Sequence, residues 1–357
     1  MKKGIKVGLY DPYLDTLGGG EKHILSIIKV FTEQHAETSI FWNKNLTKAI
    51  ADRFSFSCFE KTRWLPTSLL SSSLKSLLTL KNFDYFFYVT DGSYFASSAK
   101  NNFVFSMVPD KNLYDLGLIN RLKLFNYRFI SNSPYTTRWL NGFGLKPITI
   151  TPYVDEKLFS APFSKKNIIL SVGRFFTQLH HKNQEKIIDF FWRLKQQSPL
   201  FANYRLILAG GLKKEDEKYF DKLKSLADKD QSIIFKPNAS VNELYKLYGE
   251  SAYFWHFTGL GVDKKINPEQ VEHFGIAPLE AMASGCITFC HNSGGPKEII
   301  SDNKTGFLFD NEKELVTKMI KTETNPDLKN KIGKNGKLMV ESGYNYRVFK
   351  KRVLDNL

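Results

Sequence analysis

The stretch IKVGLYDPYLDTLGGGEKHILSIIKVF (residues 5–31) contains the parts of a doubly wound α/β unit in order. IKVGLYD is a short apolar run that predicts a buried strand, and LGGGEKH is a glycine-rich turn. ILSIIKVF then carries apolar residues at helical spacing. A strand, a glycine-rich turn and a helix are how a parallel, doubly wound sheet begins.

The same alternation continues along the chain. Further strand candidates in the first half are TSIFW, FDYFFYV, NFVFSMV, YRFISN and ITITPYV, and SPYTTRWL is a helical stretch. A second series starts with the strand NIILSVGRF and the helix NQEKIIDFFWRLKQQ, and reaches the strand CITFCHN and the short helix GPKEII. Strands alternating with helices of this length predict a parallel sheet with helices on both faces. The predicted fold class is therefore α/β, with two Rossmann-like doubly wound domains in series.

The domain boundary is predicted in YVDEKLFSAPFSKKN, residues 153–167. This segment is polar, contains Pro162 and lacks a clear hydrophobic period, as an interdomain linker would. A length of 357 residues also suggests two domains. We expect an N-terminal domain over residues 1–155 and a C-terminal domain over residues 165–342.

Composition excludes several classes of protein. The hydrophobic content of 42% is enough for a sizeable core, so disorder is not expected. Cys58, Cys286 and Cys290 are too few for a disulfide framework and indicate a reducing compartment. The start MKKGIKVGLYD has its apolar run broken by Lys6 and stopped by Asp11, unlike a signal peptide. We expect a cytoplasmic protein, in solution or peripheral on the inner face of a membrane.

A net charge of +15 favours anionic partners. Nucleic acid is not expected, because no recognisable motif and no element with interleaved aromatic and basic residues occurs. An acidic membrane surface is the second candidate, since Leu70, Leu74, Leu77 and Leu78 share one helical face within residues 67–83. The favoured alternative is a helix that covers the first sheet.

Two cation positions follow the first strand of the second series. Arg174 comes directly after NIILSV, and open α/β sheets bind ligands at the carboxyl ends of their strands. Lys182 stands at the expected start of the next helix, so the two cations suit a diphosphate. The alternative is a solvated basic loop. His180, His181 and the acidic DKD at residues 228–230 are expected to face solvent, with no metal bound.

The segment EHFGIAPLE (residues 272–280) carries a carboxylate at each end. If its helix begins near Phe274, Glu272 lies at the helix mouth and the amides of Gly275 and Ile276 are available to an anion. Glu280 then lies inside the helix and needs hydroxyl or amide donors, which sugars supply. The alternative is a capping glutamate and a second one that extends to water.

These pieces together resemble glycosyltransferase family 4, the retaining, metal-independent transferases of the GT-B fold. The E-x7-E pattern occurs as Glu272 and Glu280, the strand–Arg–loop–Lys pattern as SVGRF and HHKNQ, and the N-terminal glycine loop as LGGGEKH. The resemblance covers nearly the whole chain and is strongest over residues 165–310. GGGE, EHFGI and HNSGGPKEII are most similar to mannosyltransferases that extend the dolichol-linked oligosaccharide, and to bacterial relatives that make surface polysaccharides.

The resemblance implies two domains that face a central cleft, with the last helix, residues 343–357, joining the acceptor-side N-terminal domain. It also implies transfer of a hexose to a glycan or a lipid-linked acceptor, with mannose from GDP-mannose as the expected donor. Neither a metal nor any other cofactor is expected. The alternatives are a non-catalytic nucleotide-sugar-binding protein and a nucleotide-sugar 2-epimerase.

The resemblance also implies roles for single residues. Arg174 and Lys182 neutralise the donor diphosphate, Glu272 contacts the transferred hexose, and these three are the expected catalytic residues. Glu280 hydrogen-bonds the ribose. The remaining donor-binding positions are the glycine loop and the helix start, namely Gly18, Gly19, Gly20, Phe274, Gly275, Ile276 and Ala277.

One departure from the family pattern concerns a histidine near the end of the first domain. Phe105 and Met107 of FVFSMVPDKN stand where it would be, and no His occurs between His35 and His180. Asp110 and Lys111 are candidates for its part. A lost or reduced activity would follow if neither replaces it.

Overall fold

The computed structural model describes residues 4–71, 73–160, 163–177 and 181–357. The chain divides into two compact units. Unit 1 comprises Met1–Pro152 and Phe349–Leu357, and unit 2 comprises Tyr153–Val348. The sequence predicts domains over 1–155 with 343–357, and over 165–342.

Unit 1 contains a seven-stranded parallel sheet in the order β3-β2-β1-β4-β5-β6-β7. Its strands are β1 (Lys6–Tyr10), β2 (Glu37–Phe41), β3 (Arg63–Leu65), β4 (Tyr85–Val89), β5 (Asn101–Ser106), β6 (Tyr127–Ser131) and β7 (Ile148–Thr149). Its helices are α1 (Gly19–Glu33), α2 (Thr47–Phe54), α3 (Ser73–Leu80), α4 (Leu118–Lys123) and α5 (Pro134–Gly142), joined by most of α13 (Tyr346–Asn356).

Unit 2 contains a six-stranded parallel sheet in the order β10-β9-β8-β11-β12-β13. Its strands are β8 (Lys166–Val172), β9 (Arg205–Gly210), β10 (Ile233–Pro237), β11 (Ser251–His256), β12 (Ile287–His291) and β13 (Phe307–Phe309). Its helices are α6 (Gln184–Gln197), α7 (Glu217–Ala227), α8 (Val241–Glu250), α9 (Ile276–Ala283), α10 (Pro296–Ile299), α11 (Glu312–Glu323) and α12 (Pro326–Gly343).

The central strands of unit 2 bury both faces because successive side chains point to opposite sides of the sheet. Tyr253 and Trp255 enter one hydrophobic core, while Phe254 between them enters the other. Ile169 and Leu170 of β8 divide in the same way. Two parallel sheets with helices confirm the predicted class, α/β with two Rossmann-like domains.

Short edge strands are one kind of element that the hydrophobic pattern predicts poorly. β3 and β13 lie at sheet edges and have three residues each, and ITITPYV forms only the two-residue edge strand β7. A strand that pairs on one side only needs few apolar residues, so its periodicity is too short to detect. The helices α2, α4, α11 and α12 were also not predicted.

Two predicted segments take a more specific form. Residues 67–83 contain a short 3-10 helix (Thr67–Leu70) and α3, whose Ser76 and Leu80 are fully buried. In the predicted linker, Val154 and Leu158 are buried in a core of unit 2, while Pro162 lies outside the described residues. Within the described ranges, no helix is long and apolar enough to cross a bilayer.

Candidate functional site

The strand order of unit 2 reverses direction between β8 and β11, which are neighbours in the sheet. Ligands of open α/β sheets bind outside the carboxyl ends of the strands at such a switch point. Gly173 and Arg174 follow β8 there, and His256 is the last residue of β11. The folding pattern therefore brings these residues to one end of the sheet, although they are far apart in the sequence.

Lys182 and Glu272 form an ion pair at this sheet end. Lys182 Nζ donates to Oε2 of Glu272 at 2.8 Å, and only 14% and 17% of the two side chains are exposed. Two predicted catalytic residues are thus in contact, but they neutralise each other. A phosphate ligand would compete with Glu272 for this ammonium group.

His256 also forms a hydrogen bond with the Glu272 carboxylate. Its Nε2 donates to Oε2 of Glu272 at 2.9 Å, and its side chain is 3% exposed. Burial lowers the pKa of His256, the hydrogen bond to Glu272 and its negative charge oppose that effect, and the charge of Lys182 adds to it. The hydrogen bond from His256 fixes the direction of the Glu272 carboxylate.

Gly173 makes room for Lys182. A Cβ atom at residue 173 would lie 2.7 Å from Cγ of Lys182 and 3.1 Å from its Cδ. The lysine side chain therefore passes directly over the end of β8, where only a residue without a side chain fits. This contact is the physical reason for the glycine in SVGRF.

The N-terminus of α9 lies next to Glu272 in the sequence. Gly275 is its N-cap, with φ at 105° in the left-handed region, and Ile276 and Ala277 are its first two helical residues. The first N–H groups of a helix have no partner within the helix and carry its positive dipole end. The predicted helix start is confirmed within two residues, and Phe274 before it is buried.

The turn NSGGP after β12 packs directly on the backbone of the segment that carries Glu272. Gly295 N–H donates to the carbonyl oxygen of Glu272 at 2.7 Å. A Cβ atom at Gly294 would lie 2.1 Å from that oxygen, and one at Gly295 would lie 2.2 Å from the carbonyl oxygen of Phe274. The two glycines therefore position the acidic segment through backbone contact.

Glu280 is half-buried inside α9, and Tyr248 of α8 binds it. The Tyr248 hydroxyl donates to Oε2 of Glu280 at 3.0 Å. Burial and the negative charge of Glu280 raise the pKa of Tyr248 well above its ordinary value. Tyr248 therefore fixes one oxygen of Glu280 from a neighbouring helix.

Arg174 is exposed at the same strand end. Its guanidinium lies over the ring of Phe176, 4.3 Å from the ring centre, and its carbonyl oxygen accepts a hydrogen bond from Gln184. Gln184 is the first residue of α6, so this bond ties the loop after β8 to the helix that follows Lys182. The predicted role of Arg174 towards a diphosphate stays a prediction.

Side chains of the protein itself contact the glycine loop of unit 1, which the sequence predicts to be open to a ligand. Gly18 N–H donates to Oε2 of Glu21 at 2.6 Å, and the Thr16 hydroxyl donates to the same oxygen at 2.7 Å. A Cβ atom at Gly20 would lie 2.5 Å from the sulfur of Met107. One N–H group predicted to be available for a ligand is therefore bound by the chain's own carboxylate at the start of α1. The predicted donor-binding roles of Gly18, Gly19 and Gly20 stay predictions.

Phe105, which stands where the family histidine would be, lies beside another histidine, His23. Phe105 is fully buried, and its ring meets the ring of His23 edge to face at 4.9 Å. Burial lowers the pKa of His23 to about 3, and a hydrogen bond from its ring to the backbone of Ile150 opposes that effect. Asp110 accepts a hydrogen bond from the N–H of Asn112 and caps a short 3-10 helix, and Lys111 is exposed.

Over the ranges that the structure describes, no three His, Cys, Asp or Glu side chains are grouped so that they could hold a metal ion. His181 lies 2.9 Å from the Tyr219 hydroxyl, and His180 lies outside the described residues.

Comparison with known proteins bears on the same half of the chain. The Glycosyl transferases group 1 family matches residues 155–339, which contain every site residue of unit 2 described above. The chain belongs to this family. The finer assignment to glycosyltransferase family 4 remains a proposal.

Curated relatives of this group 1 glycosyl transferase match about half of the chain. It is 28% identical over 183 residues to a mouse GDP-Man:Man(3)GlcNAc(2)-PP-Dol alpha-1,2-mannosyltransferase, covering 48% of this chain and 34% of the mouse protein. It is 26% identical to an alpha-1,3/1,6-mannosyltransferase of Rhizomucor pusillus, covering 53% and 44%. The matched region spans 34% of the length of the mouse protein and 44% of that of the Rhizomucor protein, which is less than half of either relative.

Solved structures match the whole chain at low identity. A glycosyltransferase from Rickettsia africae has a TM-score of 0.74 at 16% identity, covering 99% of this chain and 97% of that one. Anabaena HepE in complex with UDP and glucose has a TM-score of 0.73 at 13% identity, covering 98% of both chains. At these identities the likeness shows the fold alone, and it confirms the predicted GT-B class.

Sequence reasoning gave no role to several residues of the site, among them Gly173, Tyr248, His256 and Gly295. His256 had a detectable signal, because it ends a predicted strand whose carboxyl end neighbours that of β8. The two glycines had only the weak signal of a turn. Tyr248 had no signal, because its partner Glu280 lies 32 residues away.

Proposed function

We propose that the chain is a retaining, metal-independent glycosyltransferase that moves mannose from GDP-mannose to a glycan or lipid-linked acceptor. Family membership supports the transferase class. The names of the mouse and Rhizomucor relatives support mannose, and the mouse name also supports GDP-mannose and a lipid diphosphate-linked acceptor. Assignment to glycosyltransferase family 4 is part of the proposal.

The observation that carries the proposal is the cluster of Lys182, Glu272 and His256 beside the N-terminus of α9. It combines a cation, a carboxylate and helix N–H groups at the switch point of a Rossmann-like sheet. A nucleotide sugar requires this combination, because its diphosphate needs positive charge and its sugar hydroxyls need acceptors.

In the proposed reaction these groups act on the leaving diphosphate. As the glycosidic bond breaks, negative charge grows on the phosphate oxygens. Lys182, Arg174 and the N–H groups of Gly275, Ile276 and Ala277 stabilise that charge where it develops. Only contacts that strengthen in the transition state raise the rate, and fixed cations beside a leaving group meet that condition.

The two carboxylates hold the sugars in this proposal. Glu280 accepts from the ribose hydroxyls while Tyr248 keeps it in place, and Glu272 accepts from the hexose. Binding of the diphosphate to Lys182 replaces the ion pair seen in the structure. Glu272 then keeps its hydrogen bond to His256. That bond directs an oxygen of Glu272 towards the sugar.

The test is thermal-shift binding with GDP-, UDP-, ADP-, dTDP- and CMP-sugars. We expect GDP-mannose to give the largest stabilisation. Glu280→Ala should weaken that binding about 10- to 100-fold, because a hydrogen bond to a charged group is lost. Glu341→Ala, an exposed glutamate of α12, is the matched control and should bind like wild type.

Three outcomes decide between the functions considered. Binding of GDP-mannose followed by mannose transfer to a polyprenyl diphosphate-linked oligosaccharide supports the proposal. Conversion of a nucleotide sugar into its 2-epimer without an acceptor would instead show a 2-epimerase. If a folded protein binds none of the sugars at millimolar concentration, the transferase proposal fails.

A further inference from the structure

An exposed apolar cluster covers one face of α4 and the residues after it. Leu118, Ile119, Leu122 and Phe125 are 78%, 70%, 68% and 79% exposed. Their spacing of one, three and three residues places them on one side of a helical turn. Leu124, between two of them, is buried on the opposite side. We call these four residues the α4 patch.

The α4 patch is large for the surface of a folded protein. Single exposed leucines are common, but these four side chains together expose on the order of 500 Å² of mostly apolar surface, at the upper end for a monomer. The adjacent packing does not need them, since Leu124 and Tyr127 already fill the core beneath. A surface of this kind calls for something that covers it.

A second exposed pair lies close to the α4 patch. Leu74 and Leu78 of α3 are 70% and 64% exposed and one helical turn apart. α3 and the end of the α4 region bind consecutive residues of one loop: the Ser76 hydroxyl donates to the Ala96 carbonyl at 3.3 Å, and the Asn126 amide donates to the Ser97 carbonyl at 2.9 Å. The two apolar groups therefore flank the same short segment.

Basic residues accompany both apolar groups. Residues 67–83 and 111–125 contain five basic side chains, Lys75, Lys81, Lys111, Arg121 and Lys123, and a single acidic one, Asp115. Both carboxylate oxygens of Asp115 accept hydrogen bonds at the start of α4, from Gly117 N–H and from the Asn120 side chain. Arg121 is exposed and lies on the flank of the α4 patch.

We propose that the α4 patch, with Leu74 and Leu78, inserts into the surface of a bilayer that contains anionic lipids. Leucine and phenylalanine flanked by lysine and arginine are typical of interfacial helices, in which apolar side chains enter the acyl boundary and cations meet the headgroup phosphates. The proposal extends the proposed function, because a lipid-linked acceptor lies in a membrane.

Charge argues against a second copy of the chain as the partner. Two molecules that met through this surface would bring the same basic residues together, and each carries a net charge of +15. Like charges across an interface weaken association. An anionic bilayer satisfies both the apolar and the cationic parts of the surface.

The test is co-sedimentation of the full chain with vesicles of phosphatidylcholine, with and without phosphatidylglycerol. We expect binding to the phosphatidylglycerol vesicles and little to phosphatidylcholine alone. The triple variant Leu118→Ser, Leu122→Ser and Phe125→Ser should reduce that binding at least about tenfold, since most of the inserted apolar surface is lost. Arg121→Gln with Lys123→Gln should reduce it less.

The matched control is a triple variant of exposed apolar residues elsewhere, Ile266→Ser, Leu338→Ser and Leu354→Ser. It should bind vesicles like wild type. The proposal is overturned if wild type does not bind, if it binds both vesicle types equally, or if the patch variant binds like the control. It is also overturned if sedimentation velocity shows a dimer that the patch variant abolishes.

The same proteins separate this proposal from the proposed function. The thermal shift with nucleotide sugars should be equal in wild type and in the patch variant, because none of the residues assigned to the donor site belongs to the α4 patch. Vesicle binding without a thermal shift by nucleotide sugars would support the membrane-binding surface and contradict the proposed transferase function. A nucleotide shift without vesicle binding would do the reverse.

Discussion

At the scale of single residues, the ion pair of Lys182 and Glu272 is the central feature of the site. Both are largely removed from water, and such a pair gains little stability because desolvation offsets the attraction. In the proposed function, the two side chains are ligand-binding groups that neutralise each other until a ligand takes their place. The contact of Lys182 with Gly173 makes this idea testable.

Gly173→Ala should weaken nucleotide-sugar binding about 10- to 100-fold, the loss expected when a lysine can no longer reach a phosphate. The new Cβ atom would lie 2.7 Å from Cγ of Lys182 and displace it. Isothermal titration with GDP-mannose measures the effect. Gly142→Ala, where no atom lies within 4 Å of a new Cβ, is the control.

The mechanism of this loss can be separated from a general disturbance. If the glycine acts only through Lys182, Gly173→Ala combined with Lys182→Ala should bind no more weakly than Lys182→Ala alone. Additive losses in the double variant would show that Gly173 has another role.

Asp11, directly after β1, gives a prediction on pH. Burial raises its pKa from 3.8 to about 7, Glu21 and Asp15 add to the rise, and the Tyr13 N–H opposes it. Within the described residues no group donates a hydrogen bond to its Oδ2. The folded protein therefore keeps this proton to a higher pH than the unfolded chain, so the contribution of Asp11 to stability falls as the pH rises from about 4 to about 7.

Asp11→Asn should remove that dependence. Relative to wild type, the variant should gain up to about 4 kcal/mol in the free energy of unfolding between pH 4 and pH 8. Urea unfolding at both pH values measures the difference, in which unchanged groups such as His23 cancel. Asp52→Asn, at an exposed position of α2, is the control, and parallel profiles of wild type and Asp11→Asn would contradict the assignment.

At the scale of elements, the turn between β12 and α10 supports the start of α9 through its glycines. Gly295 approaches the backbone of Phe274 so closely that a Cβ atom would lie 2.2 Å from the carbonyl oxygen and 2.5 Å from Cα. A flexible side chain can move away from such a contact, but backbone cannot. The turn and the acidic segment must therefore shift together.

Gly295→Ala should lower the free energy of unfolding by about 1–3 kcal/mol and also weaken GDP-mannose binding. The double effect is expected because the same shift strains the fold and moves Glu272. Thermal unfolding and titration of one preparation measure both. Gly343→Ala, with no atom within 4 Å of a new Cβ, should change neither, and a stable Gly295→Ala with full affinity would contradict this role.

At the scale of the whole molecule, the chain returns to its first unit at its end. Phe349 of α13 is 1% exposed and lies 5.9 Å from the ring of His23. Lys350 Nζ donates to Glu33 at 2.7 Å, and Arg352 binds the Thr151 hydroxyl. Nine residues at the C-terminus thus belong to the unit built from residues 1–152.

Phe349→Ala should destabilise unit 1 by about 3–5 kcal/mol, the usual cost of removing a buried phenylalanine. Hydrogen exchange measured by mass spectrometry should show faster exchange in peptides of unit 1 and little change in those of unit 2. Leu354→Ala on the same helix is 49% exposed and serves as the control. Equal acceleration in both units would show that the chain unfolds as one.

The sequence alone was enough to predict the alternation of strands and helices. A strand buried on both faces needs a continuous apolar run, and a helix packed on the sheet needs apolar residues at helical spacing. The capping box of α8, formed by Ser240 and Glu243, is likewise visible in the sequence, because capping depends on residues three apart. The acidic residues at both ends of EHFGIAPLE were visible for the same local reason.

Tertiary structure alone decided which groups meet. His256, Lys182 and Glu272 come from three separate segments, and Tyr248 reaches Glu280 from another helix. The glycines at 173 and 295 are explained only by the atoms they approach, and the exposure of the α4 patch only by the way the described residues of unit 1 pack. Contacts between distant segments depend on strand order, and strand order is set by packing of the whole sheet rather than by any local pattern.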